Sequence, residues 1–164
     1  MECPACHRTL RTKTVGGVTV DVCNDGCGGI WFDQGEFKKF DEPNEVAGEA
    51  LLDIPRDPDV RVDQSQRYRC TKCPDSVMMR HFSSAKRAVV IDECPTCGGV
   101  WLDPGELRQI RSEYPSEEAR REAAEAYFKE VLGDRIDAER SQDAKRWAIW
   151  RRIANILRSP WPFL

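Results

Sequence analysis

Eight cysteines fall into four close pairs, Cys3/Cys6, Cys23/Cys27, Cys70/Cys73 and Cys94/Cys97. Three pairs enclose two residues and the second encloses three. A turn of that length presents two sulfurs together, which is half of what a tetrahedral thiolate site requires. The pairs are separated by 16 residues in the first half of the chain and by 20 in the second, intervals that a returning hairpin spans. Cys3, Cys6, Cys23 and Cys27 thus form one quartet, and Cys70, Cys73, Cys94 and Cys97 another. A thioredoxin-like redox role needs a βαβ setting and one activated thiol per motif, which two repeated quartets do not suit. The quartets read as closed structural sites holding two Zn2+ per chain. His7, next to Cys6, and His81 are spare ligand types; with both quartets complete they read as surface residues.

The elements that must carry these ligands appear twice. Val20 to Phe37 recurs as Ile91 to Leu107, with the same order of cysteine turn, Gly-Gly, Trp, Asp, Gly and Glu and one extra residue in the first turn. Within each copy the pattern predicts strand, turn, strand, second cysteine turn and a short helix. Val15, Val18, Val20 and Val22 around Gly16-Gly17 indicate a hairpin over residues 14 to 23, and Ala88 to Asp92 is a further strand. Gly28-Gly29 and Gly98-Gly99 follow the second pair of each copy, where close backbone approach favours a residue without a Cβ.

The string Cys-Pro-Thr-Cys-Gly-Gly-Val-Trp-Leu-Asp-Pro-Gly-Glu-Leu at 94 to 107 resembles the bacterial family of zinc ribbons named after transcription factor IIB, and residues 23 to 37 resemble it as a tandem copy. The resemblance implies a zinc-ribbon fold with a short following helix and suggests a transcriptional setting. The expected fold is a small metal-stapled α+β chain: two zinc ribbons, each of β-hairpins plus a short helix, then a C-terminal α-helical arm. The expected divisions are ribbon one at 1–41, an acidic proline-containing linker at 42–66, ribbon two at 67–112, and the arm at 113–164.

Asp33 with Glu36, and Asp103 with Glu106, have the spacing of a helix capping box, with Pro104 at the first helical position. Capping is preferred to catalysis, and no catalytic residue is assigned. Trp31 and Trp101 read as the aromatic core beside each metal; a base-stacking platform is the alternative. In the second ribbon Arg67, Arg69, Lys72, Arg80, Lys86 and Arg87 flank the hairpin, as a solvated strand face or a phosphate-facing patch.

The linker holds seven acidic residues against two basic ones and three prolines, the composition of a solvated connection. After Pro115, Ser116 suits an N-cap, with Glu117 and Glu118 in the first turn. Apolar series at helical spacing follow, one through Ala124, Phe128, Leu132 and Ile136, the other through Trp147, Trp150, Ala154 and Leu157, and Gly133 is read as a division between two helices. Trp147, Trp150, Ile153, Leu157, Trp161 and Phe163 are candidate partner-binding residues.

The formal net charge of -3 excludes a strongly basic nonspecific nucleic-acid binder, yet residues 67–112 carry +3 and 141–164 carry +4. The opening Met1-Glu2-Cys3-Pro4 lacks the pattern of a secretory leader, and no stretch approaches the roughly 18 apolar residues of a membrane span. A reducing cytoplasm is therefore expected, where close cysteine pairs bind metal. Two function classes remain. One is a non-enzymatic adaptor or regulator whose partner is another protein or a second copy of the chain. The other is a nucleic-acid or transcription-complex module using the basic ribbon and tail. A membrane surface is a third place for the Trp-bearing arm.

Overall fold

In the computed structural model the described residues are 1–41 and 46–158, without the side chains of residues 46–47, 134–139 and 152–158. The chain divides into two compact units, Met1–Ala123 and Ala124–Leu164. The first is built on one six-stranded antiparallel sheet. In chain order its strands are β1 (Arg11–Val15), β2 (Val18–Val22), β3 (Ile30–Phe32), β4 (Met79–Phe82), β5 (Val90–Glu93) and β6 (Val100–Leu102). Their spatial order is β1-β2-β3-β6-β5-β4.

The β1–β2 hairpin turns through Gly16 and Gly17, whose φ values of 57° and 77° give the tight turn that matches strand twist. The two copies of the repeat then meet strand to strand. β3 pairs β6 with Ile30 opposite Leu102, Trp31 opposite Trp101 and Phe32 opposite Val100. This register is symmetric about the two tryptophans, so the ribbons are related by an approximate two-fold axis at the sheet's centre. The expectation of a separate core for each ribbon gives way to a shared one. Alternate strand residues feed two clusters: one of Val20, Val22, Ile30, Phe32, Ile91, Val100 and Leu102, the other of Trp31, Trp101 and the buried cysteines.

Short helices cover the first cluster. A 3-10 turn at Phe37–Lys39 ends the first copy, α1 (Val46–Glu49) lies in the connection, and α2 (Glu106–Glu113) ends the second copy and contributes Leu107 and Ile110. Arg111 of α2 is 5% exposed and donates to the Phe40 carbonyl at 2.9 Å and to Glu49 at 3.2 Å, fastening the second copy to the end of the first. Over residues 48–66 the connection is mostly exposed, as a solvated linker would be, but one stretch of it is anchored to the first unit. Leu51 is 2% exposed, Asp25 donates its N–H to the Pro55 carbonyl at 2.9 Å, and Asp57 donates to Gly26 at 2.9 Å. Leu51 and Ile54 supply apolar surface that the acidic average of the segment conceals.

α3 runs from Glu117 to Arg158. Ser116 caps it, its Oγ accepting the Ala119 N–H at 3.2 Å. The division expected at Gly133 is absent: one glycine costs a long helix about 1 kcal/mol, which its neighbours Val131 and Leu132 and a proline-free run absorb. No described helix is long and apolar enough to cross a membrane.

Candidate metal centres

Each quartet is assembled by two turns that flank a hairpin in sequence and meet at its open end, where Arg11 pairs with Val22 and Met79 with Glu93. In the first ribbon Cys3 and Cys6 sit on a loop closed by the Glu2–Thr9 bridge, and His7, with φ 61°, completes its turn by donating to the Cys3 carbonyl at 3.0 Å. Cys23 and Cys27 follow β2, where Gly28 returns its N–H to Cys23 O at 3.1 Å and Cys23 N–H reaches Gly29 O at 2.9 Å. The second ribbon repeats this, with Gly98 donating to Cys94 O at 2.8 Å and Cys94 to Gly99 O at 2.8 Å.

In each quartet all four sulfurs lie within 4.8 Å of one another. Cys3 and Cys27 are 3.5 Å apart, Cys6 and Cys23 3.4 Å, and Cys70 and Cys97 3.6 Å. A tetrahedron with Zn–S bonds near 2.3 Å has edges of about 3.8 Å, so the donors stand where one zinc ion needs them. Turn N–H groups aim at the sulfurs: Cys6 at Cys3 (3.4 Å), and Lys72 and Cys73 at Cys70 (3.3 and 3.2 Å). These offset part of the charge of four thiolates. Burial pushes the Cys70 thiol up to about 12, while at Cys94 the Cys97 N–H and the Ser76 hydroxyl outweigh burial and bring it down to about 6. Metal binding displaces the remaining protons, and acid reverses it. Each ribbon thus holds one structural zinc, two per chain. His7 and His81 stand apart, paired with Glu2 (2.8 Å) and Glu93 (2.7 Å).

The residues beside the cysteines differ from expectation in an informative way. Trp31 and Trp101 are fully buried, which removes the base-stacking alternative. Each lies against the other ribbon's glycine. A Cβ on Gly29 would come within 2.2 Å of the Trp101 ring, and one on Gly99 within 2.2 Å of the Trp31 ring. The Gly-Gly pair therefore has two duties: the first glycine supplies a positive φ (84° at Gly28, 66° at Gly98) and the second admits the partner indole.

The capping-box reading also needs correction. α2 starts at Glu106 with Gly105, φ 91°, at its N-cap and no side-chain cap. Asp103-Pro104-Gly105-Glu106 is a turn closed by Glu106 N–H to Asp103 O at 3.1 Å, with Pro at its second position and a left-handed Gly at its third. Asp33-Gln34-Gly35-Glu36 repeats it, with 2.9 Å and φ 79°. Each Asp carboxylate instead accepts its own indole N–H, at 3.0 Å for Trp31–Asp33 and 2.9 Å for Trp101–Asp103. Each Glu still reaches back to the Asp N–H, at 2.9 and 2.8 Å. Asp33 takes Lys72 across the ribbon boundary at 2.6 Å, and Asp103 takes the Tyr68 hydroxyl at 3.2 Å.

The second network is more enclosed, and burial raises both Asp103 and Glu106, the latter to about 8 with help from Asp103 and Asp92 and against the Asp103 N–H. Between about pH 4.5 and 8 the folded chain therefore holds a proton on Glu106 that the unfolded chain has released. Its contribution to stability is greatest below that window and is lost as pH rises through it. Glu106→Gln keeps an acceptor for the Asp103 N–H without charge. Denaturant melts of the zinc-loaded protein should show its stability relative to the parent rising by about 2 kcal/mol between pH 6 and pH 8.5. The same difference at both pH values would contradict this assignment.

Most of the expected basic patch has partners within the fold. Lys72 pairs with Asp33, Arg80 with Asp92 at 3.2 Å and with the Gln66 carbonyl, and Arg69 donates to Pro74 O at 3.3 Å. Lys86 lies 4.0 Å above the Tyr114 ring and donates to Glu113 O, and Arg87 lies over Phe82. Arg67 is exposed. In the second unit Trp147 is 71% exposed and Trp150 64%, with Phe128, Val131 and Ile149 also exposed. Ile153 and Leu157 lie on α3 with side chains outside the described set, and Trp161 and Phe163 lie outside the described residues. The reciprocal Trp–Gly contacts escaped sequence reasoning; their one signal was that glycine and tryptophan recur together at fixed spacing in both copies.

The family model described as transcription factor zinc-finger matches residues 2–42 and 69–113, just over half of the chain. No curated protein and no solved structure matches it.

Proposed function

Given that the chain belongs to the transcription factor zinc-finger family, in two tandem copies, we propose that it is a non-enzymatic binding module whose fused ribbons form a rigid base and whose helical arm engages a protein. The observation that carries this reading is the large apolar surface of the arm, with Trp147 and Trp150 exposed on a helix that also bears exposed Phe128, Val131 and Ile149. Apolar groups in that number mark an interaction surface, and interfaces draw their energy from a few aromatic anchors. Two further features support a binding role over catalysis. Four thiolates close each zinc, leaving no open position for substrate, and the paired carboxylates are occupied with indole and backbone N–H groups.

A nucleic-acid or transcription-complex contact is the second reading, favoured by the family's description and by the positive charge of the second ribbon. The pairing of its basic side chains within the fold weighs against a phosphate surface there. The experiment is co-purification from the native host at high salt. The full chain should retain one defined protein, or itself as an oligomer. Deletion of residues 141–164 should abolish capture with both zinc ions kept, since no ligand lies beyond Cys97, and Trp150→Ala should weaken capture by about 2 kcal/mol. Retention of RNA or DNA that salt removes would transfer the proposal to the second reading. Binding to anionic vesicles, lost on the same deletion with no protein captured, would transfer it to a membrane surface.

A further inference from the structure

Within the second unit α3 is the only element among the described residues, so the unit itself offers the helix no second layer to pack against. A helix in water is held chiefly by what its apolar face covers, and propensity adds little. That face can be traced along α3. Leu132 and Trp150 are 18 residues apart, which is five whole turns, so both project from the same side of the helix. Phe128 stands one turn before Leu132 and Trp147 one turn before Trp150, and all four are exposed. Residues 137–146, between the two patches, hold no apolar side chain larger than alanine.

The second patch is shaped to receive a side chain. Asp143, Arg146, Trp147 and Trp150 line one notch on the helix, and no other described residue lines it. Their spacing, i, i+3, i+4 and i+7, is that of the four residues which make a hole for a knob from a helix packed alongside. Two indoles form the apolar wall of the notch, and its rim carries one charge of each sign.

The charge along α3 selects the occupant. Residues 124–140 carry five acidic and three basic side chains, whereas residues 141–158 carry one acidic and five basic. Two copies of the helix lying in opposite directions set each acidic half against a basic half. Two copies lying in the same direction set like against like, which repels. A closed pair of identical chains uses the same surface on both copies. In the parallel order Leu132 meets Leu132 and each notch meets a notch; in the antiparallel order each Leu132 meets the other copy's notch.

We infer that the arm's partner is a second copy of this chain: α3 forms an antiparallel two-fold helix pair in which Leu132 of each copy enters the notch of Asp143, Arg146, Trp147 and Trp150 on the other. Phe128, one turn earlier, then falls beside Trp150 and Arg151, and the polar stretch lies at the centre of the pair. This inference rests on the protein-binding reading above and names its partner.

The test uses the zinc-loaded full chain. Sedimentation equilibrium should show a dimer at about 0.1 mM protein. Leu132→Ala and Trp150→Ala should each raise the dimer dissociation constant about thirtyfold with both zinc ions kept, because each change acts twice in the pair. Raising NaCl from about 50 mM to about 500 mM should weaken the dimer severalfold, where a parallel pair would tighten. Direction is read from a mixture of 14N and 15N chains carrying Phe128→benzoylphenylalanine, irradiated and digested. Cross-links between differently labelled chains should fall at residues 147–154; cross-links at 124–132 would overturn the inference. So would a chain that is monomeric at that concentration, or a dimer that neither substitution weakens. A monomer that still captures one defined host protein through residues 141–164 removes the second copy as partner and leaves the protein-binding reading. A monomer that captures none and binds anionic vesicles removes both.

Discussion

Gly99→Ala and Gly29→Ala are each expected to destabilise the first unit by about 3 kcal/mol, at the upper end of what overpacking a core costs. The added methyl would stand 2.2 Å from the Trp31 or Trp101 ring, and neither indole has room to withdraw. Both rings are fully buried, each N–H is held by an Asp carboxylate, and the two strands that carry them are paired to each other. The effect is steric, because neither glycine has a positive φ. Gly17→Ala and Gly105→Ala supply the contrast. There φ is 77° and 91° and a Cβ meets nothing within 4 Å, so only the backbone term of about 1–2 kcal/mol applies. Denaturant melts of the four zinc-loaded variants check the ranking. If Gly99→Ala proves no worse than Gly17→Ala, the interlocked packing of the ribbons is wrong.

The expected consequence extends beyond one residue. Because each indole fills a notch in the opposite ribbon, a Trp31→Ala change opens a cavity beside the second metal's glycine as much as beside the first. Ordinary ribbons staple their own small cores, and here each also supplies the other's wall.

The metal quartets were legible because their signal is local: residue type, spacing and repetition within a few turns. The hairpin of β1 and β2 was legible for the same reason, through alternating valines about Gly16-Gly17. The pairing of β3 with β6 was not. Three-residue strands such as Ile30–Phe32 carry too little periodicity to show which edge they seek, and copies linked by an acidic proline-bearing segment look independent. Leu51 and Ile54 show how a composition average misleads, since two apolar residues anchor a segment that seven acids label as solvated. Asp-x-Gly-Glu resembles a capping box in sequence, and only the left-handed Gly35 and Gly105 reveal a turn in which Glu caps the Asp N–H while the Asp side chain serves the tryptophan. The arm's amphipathic series was visible, whereas continuity through Gly133 depended on weighing a small propensity cost against a 42-residue helix without proline.

The central claim is that two zinc ions hold one fused structure, and the most direct measurement is the zinc count of a chain in which only the second quartet is damaged, as Cys94→Ser with Cys97→Ser. Structural zinc contributes on the order of 10 kcal/mol to folding, comparable to a small domain's whole stability. Loss of the second site should therefore unfold β5 and β6, remove Trp101 from Gly29 and strip β3 of its only partner on that side. The first quartet depends on that strand, since Cys23 closes onto Gly29. Native mass spectrometry at limiting free zinc, with near-ultraviolet circular dichroism of the tryptophans, is predicted to show a metal-free chain without fixed aromatic packing. A variant that keeps one zinc at the parent's affinity, with a folded first ribbon, would contradict the account.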